Sequence, residues 1–101
     1  MQKDVTTSWG KFDHGRLLVT ESALPLITTD VKCEVGITVR AATGNSGIIY
    51  VGNSDVTKNT NVATDGYELA AGQTITIAVN NAKNVYVIGS VNPQTAYWIG
   101  V

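Results

Sequence analysis

His14 is the only histidine of the chain and Cys33 the only cysteine. A thiol or hydroxyl nucleophile needs a general base beside it and a third group to orient that base. His14 lies between Asp13 and Gly15 in a polar segment, whereas Cys33 falls in an alternating stretch where a small apolar filler is its ordinary role. No dyad is expected from them. One His and one Cys also fall short of the three or four ligands of a zinc site. Asp55, Asp65 and the amides of Asn53, Asn59 and Asn61 gather oxygen ligands of the calcium type in one loop, but without EF-hand or repeat spacing they read better as solvated turn residues. Glu21, Glu34, Asp55, Asp65 and Glu68 each stand singly, so the carboxylate pair of a glycosidase is not assembled. Gly44-Asn45-Ser46-Gly47 lacks the lysine and following helix of a phosphate loop. Trp9, Trp98, Tyr50, Tyr67, Tyr86 and Tyr97 offer ring faces for sugars or bases. Tyr50 and Tyr86, in mid-strand, suit packing within a sheet. Trp98 suits either the core or a contact made by the terminal strand. The chain therefore reads as a non-enzyme with no catalytic, cofactor or metal site.

The elements that carry these residues follow from composition and periodicity. With 101 residues, 44% of them hydrophobic, 15% charged and a net charge of -1, the chain has the makings of one compact domain and no cationic run for phosphate backbones or anionic membranes. Neither nucleic acid nor membrane is an expected partner. The start Met1-Gln2-Lys3-Asp4 is not of the signal-peptide type and no Asn-x-Ser/Thr acceptor occurs, so synthesis and retention in a soluble compartment are expected.

Apolar positions alternate with period two far more often than they recur at helical spacing. Thr74 to Val79 sets Ile75, Ile77 and Val79 on one face; Val85 to Ile88 follows an asparagine-rich loop, and the two strands read as a hairpin. Glu34 to Arg40 alternates, with Gly36 as a candidate bulge. Gly47 to Gly52 is apolar on both faces, which suits a central strand covered on two sides. Tyr67 to Leu69, Ala96 to Val101 and Arg16 to Thr20 are further strands, and Ala23 to Ile27 an edge segment in which Pro25 cannot donate to a ladder. This pattern predicts an all-β fold, an antiparallel β-sandwich of jelly-roll-like or immunoglobulin-like topology spanning 16–101, with an extended N-terminal arm over 1–15.

Two regions depart from the alternating body. The arm, Met1 to Gly15, is polar but holds Trp9 and Phe12, so it reads either as a frayed terminus or as a segment that docks through those rings. The loop Gly52 to Gly66, with Asn53, Asp55, Lys58, Asn59, Asn61 and Asp65, reads either as a contact surface or as two ordinary turns around a short strand at 60–63.

Three stretches together, Gly44 to Thr57, Gly66 to Ile77 and Val85 to Ser90, resemble small structural proteins of tailed bacteriophages. The shared order is a strand ending in Tyr50-Val51-Gly52-Asn53-Ser54, a polar loop, the turn Leu69-Ala70-Ala71-Gly72-Gln73, an alternating strand and Val85-Tyr86-Val87 before a final aromatic strand. The resemblance implies a virion component made in the host cytoplasm. At this size it implies a decoration or cement protein on the outer capsid surface, bound to the major capsid protein and arranged as a homotrimer. Trp9 and Phe12 of the arm, the polar residues of the 52–66 loop and Trp98 would be the contact residues. A tail-fibre, spike or other host-recognition module that binds a glycan is the alternative.

Overall fold

The computed structural model describes residues 12–101. Eight strands run in chain order: β1 (Asp13–Val19), β2 (Leu24–Pro25), β3 (Ile37–Ala41), β4 (Ile49–Gly52), β5 (Tyr67–Leu69), β6 (Thr74–Ile77), β7 (Tyr86–Gly89) and β8 (Gln94–Gly100). Between β6 and β7 lies a single 3-10 turn, Ala82–Asn84. Among the described residues no helix is long and apolar enough to cross a membrane.

The strands form two four-stranded antiparallel sheets, β1-β8-β3-β6 and β2-β7-β4-β5. In this order β1 pairs with β8, β2 with β7, β3 with β6 and β4 with β5, as when one long hairpin is rolled up on itself. The fold is an all-β sandwich, and of the two expected topologies it is the jelly roll.

Alternation decides what the sandwich buries. Ile37, Val39 and Ala41 of β3, Ile49 and Val51 of β4, Val87 of β7, and Ala96 and Trp98 of β8 point between the sheets, joined by Val19, Leu26, Leu69, Ala82 and Val85. Along β8 large and small inward residues take turns. Trp98 stands opposite Gly15 on one side and Val39 on the other, and a Cβ on Gly15 would lie 2.7 Å from the indole nitrogen. The expected boundary between arm and domain therefore shifts. Asp13, His14 and Gly15 belong to β1, and Gly15 is a glycine because an indole lies over it, not because the chain turns there.

A second correction concerns β6 and β7, which are not a hairpin. β6 pairs with β3 in one sheet, while β7 lies between β2 and β4 in the other. The Asn80–Asn84 segment carries the chain across the sandwich and is anchored by Asn81. Its Oδ1 accepts from the backbone N–H groups of Val31 and Lys83, and its Nδ2 donates to Asp30. That amide and then Lys83 hold the Asp30 carboxyl below its ordinary value.

Other strands sit where the alternation places them. β4 is central in its sheet and covered on both faces; β8 is central in the other. Leu24 and Pro25 form the edge strand β2. The N–H groups of Val35 and Gly36 both donate to the Val101 carbonyl, at 2.7 and 3.1 Å, which is the bonding pattern of a bulge at the start of β3.

Candidate binding face

The polar loop between β4 and β5 folds back on the domain and is organised around one carboxylate. Asp65 Oδ1 accepts from the hydroxyls of Thr57 and Thr60, both at 2.7 Å, and Oδ2 from the backbone N–H groups of Thr60 and Asn61 at 2.9 and 2.8 Å. Asn59 and Asn61 supply the two positive φ angles, 45° and 61°, that let the chain wrap the carboxylate. Val56 is thereby pressed onto Tyr50 and Ile88, covering the outer face of the β2-β7-β4-β5 sheet. Lys58 is likewise engaged, donating to Glu21 at 2.6 Å and to the Gly89 carbonyl at 3.2 Å. No strand forms at 60–63. Asn53, Asp55, Asn59 and Asn61 remain exposed, whereas Asp65 serves the loop's own architecture.

The hydroxyls of Thr57 and Thr60 lower the Asp65 pKa from 3.8 to about 2. Because the folded value lies below the unfolded one, this carboxylate stabilises the closed loop above about pH 4 and ceases to do so as the pH falls through about 2. A carboxyl NMR titration of Asp65 should give a midpoint near 2, with the amide resonances of Thr60 and Asn61 moving in parallel. A midpoint near 4 would mean that the wrapped loop does not exist in solution.

The nucleophile candidates are not brought together. His14 projects from the outward side of β1, its ring 6.1 Å from that of Phe12. Cys33 is half-buried against the core, its thiol donating to the Val79 carbonyl; burial first, and the Asp13 charge second, push its pKa up, away from thiolate character. Among the described residues no three His, Cys, Asp or Glu side chains gather as a metal ion would require. An apolar groove of about 220 Å³ opens between β5 and β6, lined by Val51, Tyr67, Ile75, Ile77, Val79 and Val85 among others, without a carboxylate, amine or imidazole in its walls.

Trp98 is a correction to the expected contact set. Only 4% of it is exposed, since its even-numbered place on β8 faces the core. Its neighbours Tyr97 and Ile99 face out instead. Trp9 lies outside the described residues. Phe12 is exposed at the start of β1.

What the fold does assemble is the outer face of the β1-β8-β3-β6 sheet. Register places Arg16, Tyr97 and Arg40 side by side on β1, β8 and β3, with Thr74 of β6 continuing the row. The next row is His14, Ile99, Thr38 and Thr76, in which the two threonine hydroxyls are 2.8 Å apart. Leu18, Phe12 and Val101 flank these rows. Leu18, Tyr97 and Ile99, all exposed, thus occupy outward positions of two adjacent strands, and the exposed Phe12 and Val101 adjoin the ends of those strands. Scattered single apolar residues are normal on a surface, but a cluster rimmed by polar groups marks an interaction site. Aromatic residues and arginine are also the types enriched at protein–protein contacts.

Fold and face together define a jelly-roll β-sandwich in which the outer surface of one sheet carries a cluster of exposed apolar side chains. No family model matches the chain, and neither a curated protein nor a solved structure gives a significant match.

Proposed function

We propose that the chain is a structural protein of a bacteriophage virion, a decoration or cement protein that binds the outer surface of the capsid and stabilises the head by bridging neighbouring coat subunits. The observation that carries this reading is the apolar and arginine-bearing face of the β1-β8-β3-β6 sheet. A rigid sandwich with one such face acts by adhesion, and adhesion to a repeating shell requires complementary surface and no reacting group. The resemblance in the Gly44 to Ser90 region supplies the virion context. The major capsid protein is the partner, and homotrimers at three-fold axes give closed symmetry.

Copy number is the test. Purified virions are expected to carry the protein in near-stoichiometric ratio to coat subunits and to lose it together with head stability when it is stripped. Fewer than a dozen copies, fractionating with tails, would favour the second reading, a host-recognition module of the fibre or spike. That reading has its own support in a hollow of about 250 Å³ lined by Tyr50, Lys58, Asn59 and Ser90, where an aromatic ring and polar groups converge. The role of the first residues is tested by deleting Met1 to Lys11, which spares β1; undiminished binding to heads would dismiss Trp9 as an anchor.

A further inference from the structure

We infer that the β1-β8-β3-β6 face docks on a protein surface that presents carboxylates, gripped by Arg16 and Arg40 on either side of Tyr97; this deepens the adhesive reading above and rests on it. Charge placement is the first argument. The described cations are Arg16, Lys32, Arg40, Lys58 and Lys83. Lys58 is bound to Glu21 and Lys83 to Asp30, and Lys32 lies in the field of Asp30. All three lysines therefore have a carboxylate near them. Neither arginine has an ion-pair partner among the described residues, although both stand exposed in one row of one sheet. The four strands of that sheet contain a single acid, Asp13, at the end of β1 and out of step with the outward-facing His14, Arg16 and Leu18.

The second argument is geometric. Adjacent strands lie about 4.8 Å apart, so the two arginines are rooted roughly 10 Å apart with the phenol between them. Each guanidinium offers a planar fork that matches a carboxylate with two parallel N–H···O bonds. Tyr97 supplies ring area and a hydroxyl at the centre, with Ile99 and Leu18 as the apolar surround that keeps water from the charged contacts. Such a row fits two acidic side chains about 10 Å apart on a partner with apolar surface between them.

A second copy stacked face to face does not meet this description. A two-fold contact would bring four guanidinium groups together with no carboxylate to answer them, and like charges across an interface are repulsive. An acidic protein surface of a different kind is the occupant that the charges select.

The full chain titrated with poly-L-glutamate and followed by amide NMR tests this without any capsid. Saturable shifts are expected along the outward positions of β1, β3 and β8, weakening by at least about tenfold when ionic strength rises from low to several hundred millimolar. The R16E/R40E variant, confirmed as folded by its melting curve, should bind at least about thirtyfold more weakly. K32E/K83E should bind as the parent does. Shifts that map to another surface, unaltered binding by R16E/R40E, or tighter binding to a single-stranded oligonucleotide of equal charge would each overturn the inference. The two proposals also fail separately. If heads retain R16E/R40E at full copy number, the inference falls and the capsid reading stands; if polyglutamate binds at this face but heads do not retain the protein, the capsid reading falls alone.

Discussion

Replacing Trp98 with alanine is expected to lower the unfolding free energy by about 4 kcal/mol, within the range found when large core aromatics are truncated. The size of the effect follows from what surrounds the ring. Trp98 occupies the middle of β8, the strand that joins β1 to β3, and its indole lies over Gly15, a residue with no side chain to move into the void. The cavity cannot collapse, so the cost stays near the upper part of the range. Domains of this size have only about 5–15 kcal/mol in all, and a loss of this order lowers the melting temperature by tens of degrees. Urea denaturation with an unchanged slope would report it. A loss under about 1 kcal/mol would show that Trp98 is not the keystone of the core. The reciprocal change, Gly15→Ala, should also destabilise, by about 1–3 kcal/mol, since the added methyl must displace the ring.

Gln94 carries the second large effect. It is 2% exposed at the start of β8, a polar side chain in a position where alternation calls for an apolar one. Its Oε1 accepts from the Gly47 N–H at 3.0 Å and its Nε2 donates to the Ile48 carbonyl at 2.9 Å, so one amide serves a donor and an acceptor of the segment that leads into β4. Ser90 holds the same segment from the other side, accepting from the Ile48 N–H through Oγ and donating its own N–H to the Ile48 carbonyl. With Ser90 still in place, Gln94→Ala orphans the Gly47 N–H and leaves a void. The expected loss is about 3 kcal/mol, of which roughly 1–3 is the unpaired donor. Gln94→Glu keeps the volume and the acceptor but sets a carboxylate opposite the Ile48 carbonyl. Its destabilisation should be greatest at neutral pH and diminish as the carboxyl becomes protonated. A pH-independent loss for Gln94→Glu would count against this account.

Particular residues show why some features can be read from the sequence and others cannot. Ile75 and Ile77, Ile49 and Val51, and Ala96 and Trp98 announce their strands because the period of two is a local property. The destination of each strand is not local. The segments on either side of Asn80–Asn84 each carry an inward apolar set, and the polar link between them is compatible with a hairpin or with a crossing from sheet to sheet. Only the partners, β3 for one and β2 and β4 for the other, decide. The same limit hides the binding face. Arg16, Arg40 and Tyr97 are unremarkable in sequence and become a row only through the β1·β8 and β3·β8 registers. Asp65 is a different case, since all the donors to its carboxylate lie within Thr57 to Asn61. The acceptor and its donors lie within one loop, but polar residues in such a stretch are equally compatible with surface contact and with internal satisfaction, and composition alone does not separate the two.

The nested pairing of the strands has a consequence for the order in which the domain can be made. Among the described strands β1 is made first and pairs only with β8, so its pairing must wait until Gln94–Gly100 has been translated. β3 and β6, and β4 and β5, can meet earlier, but their two sheets stay unclosed until β8 slots between β1 and β3. A nascent chain stalled before Gln94 should therefore remain open to protease along β1, and release of the final strand should convert it in one cooperative step.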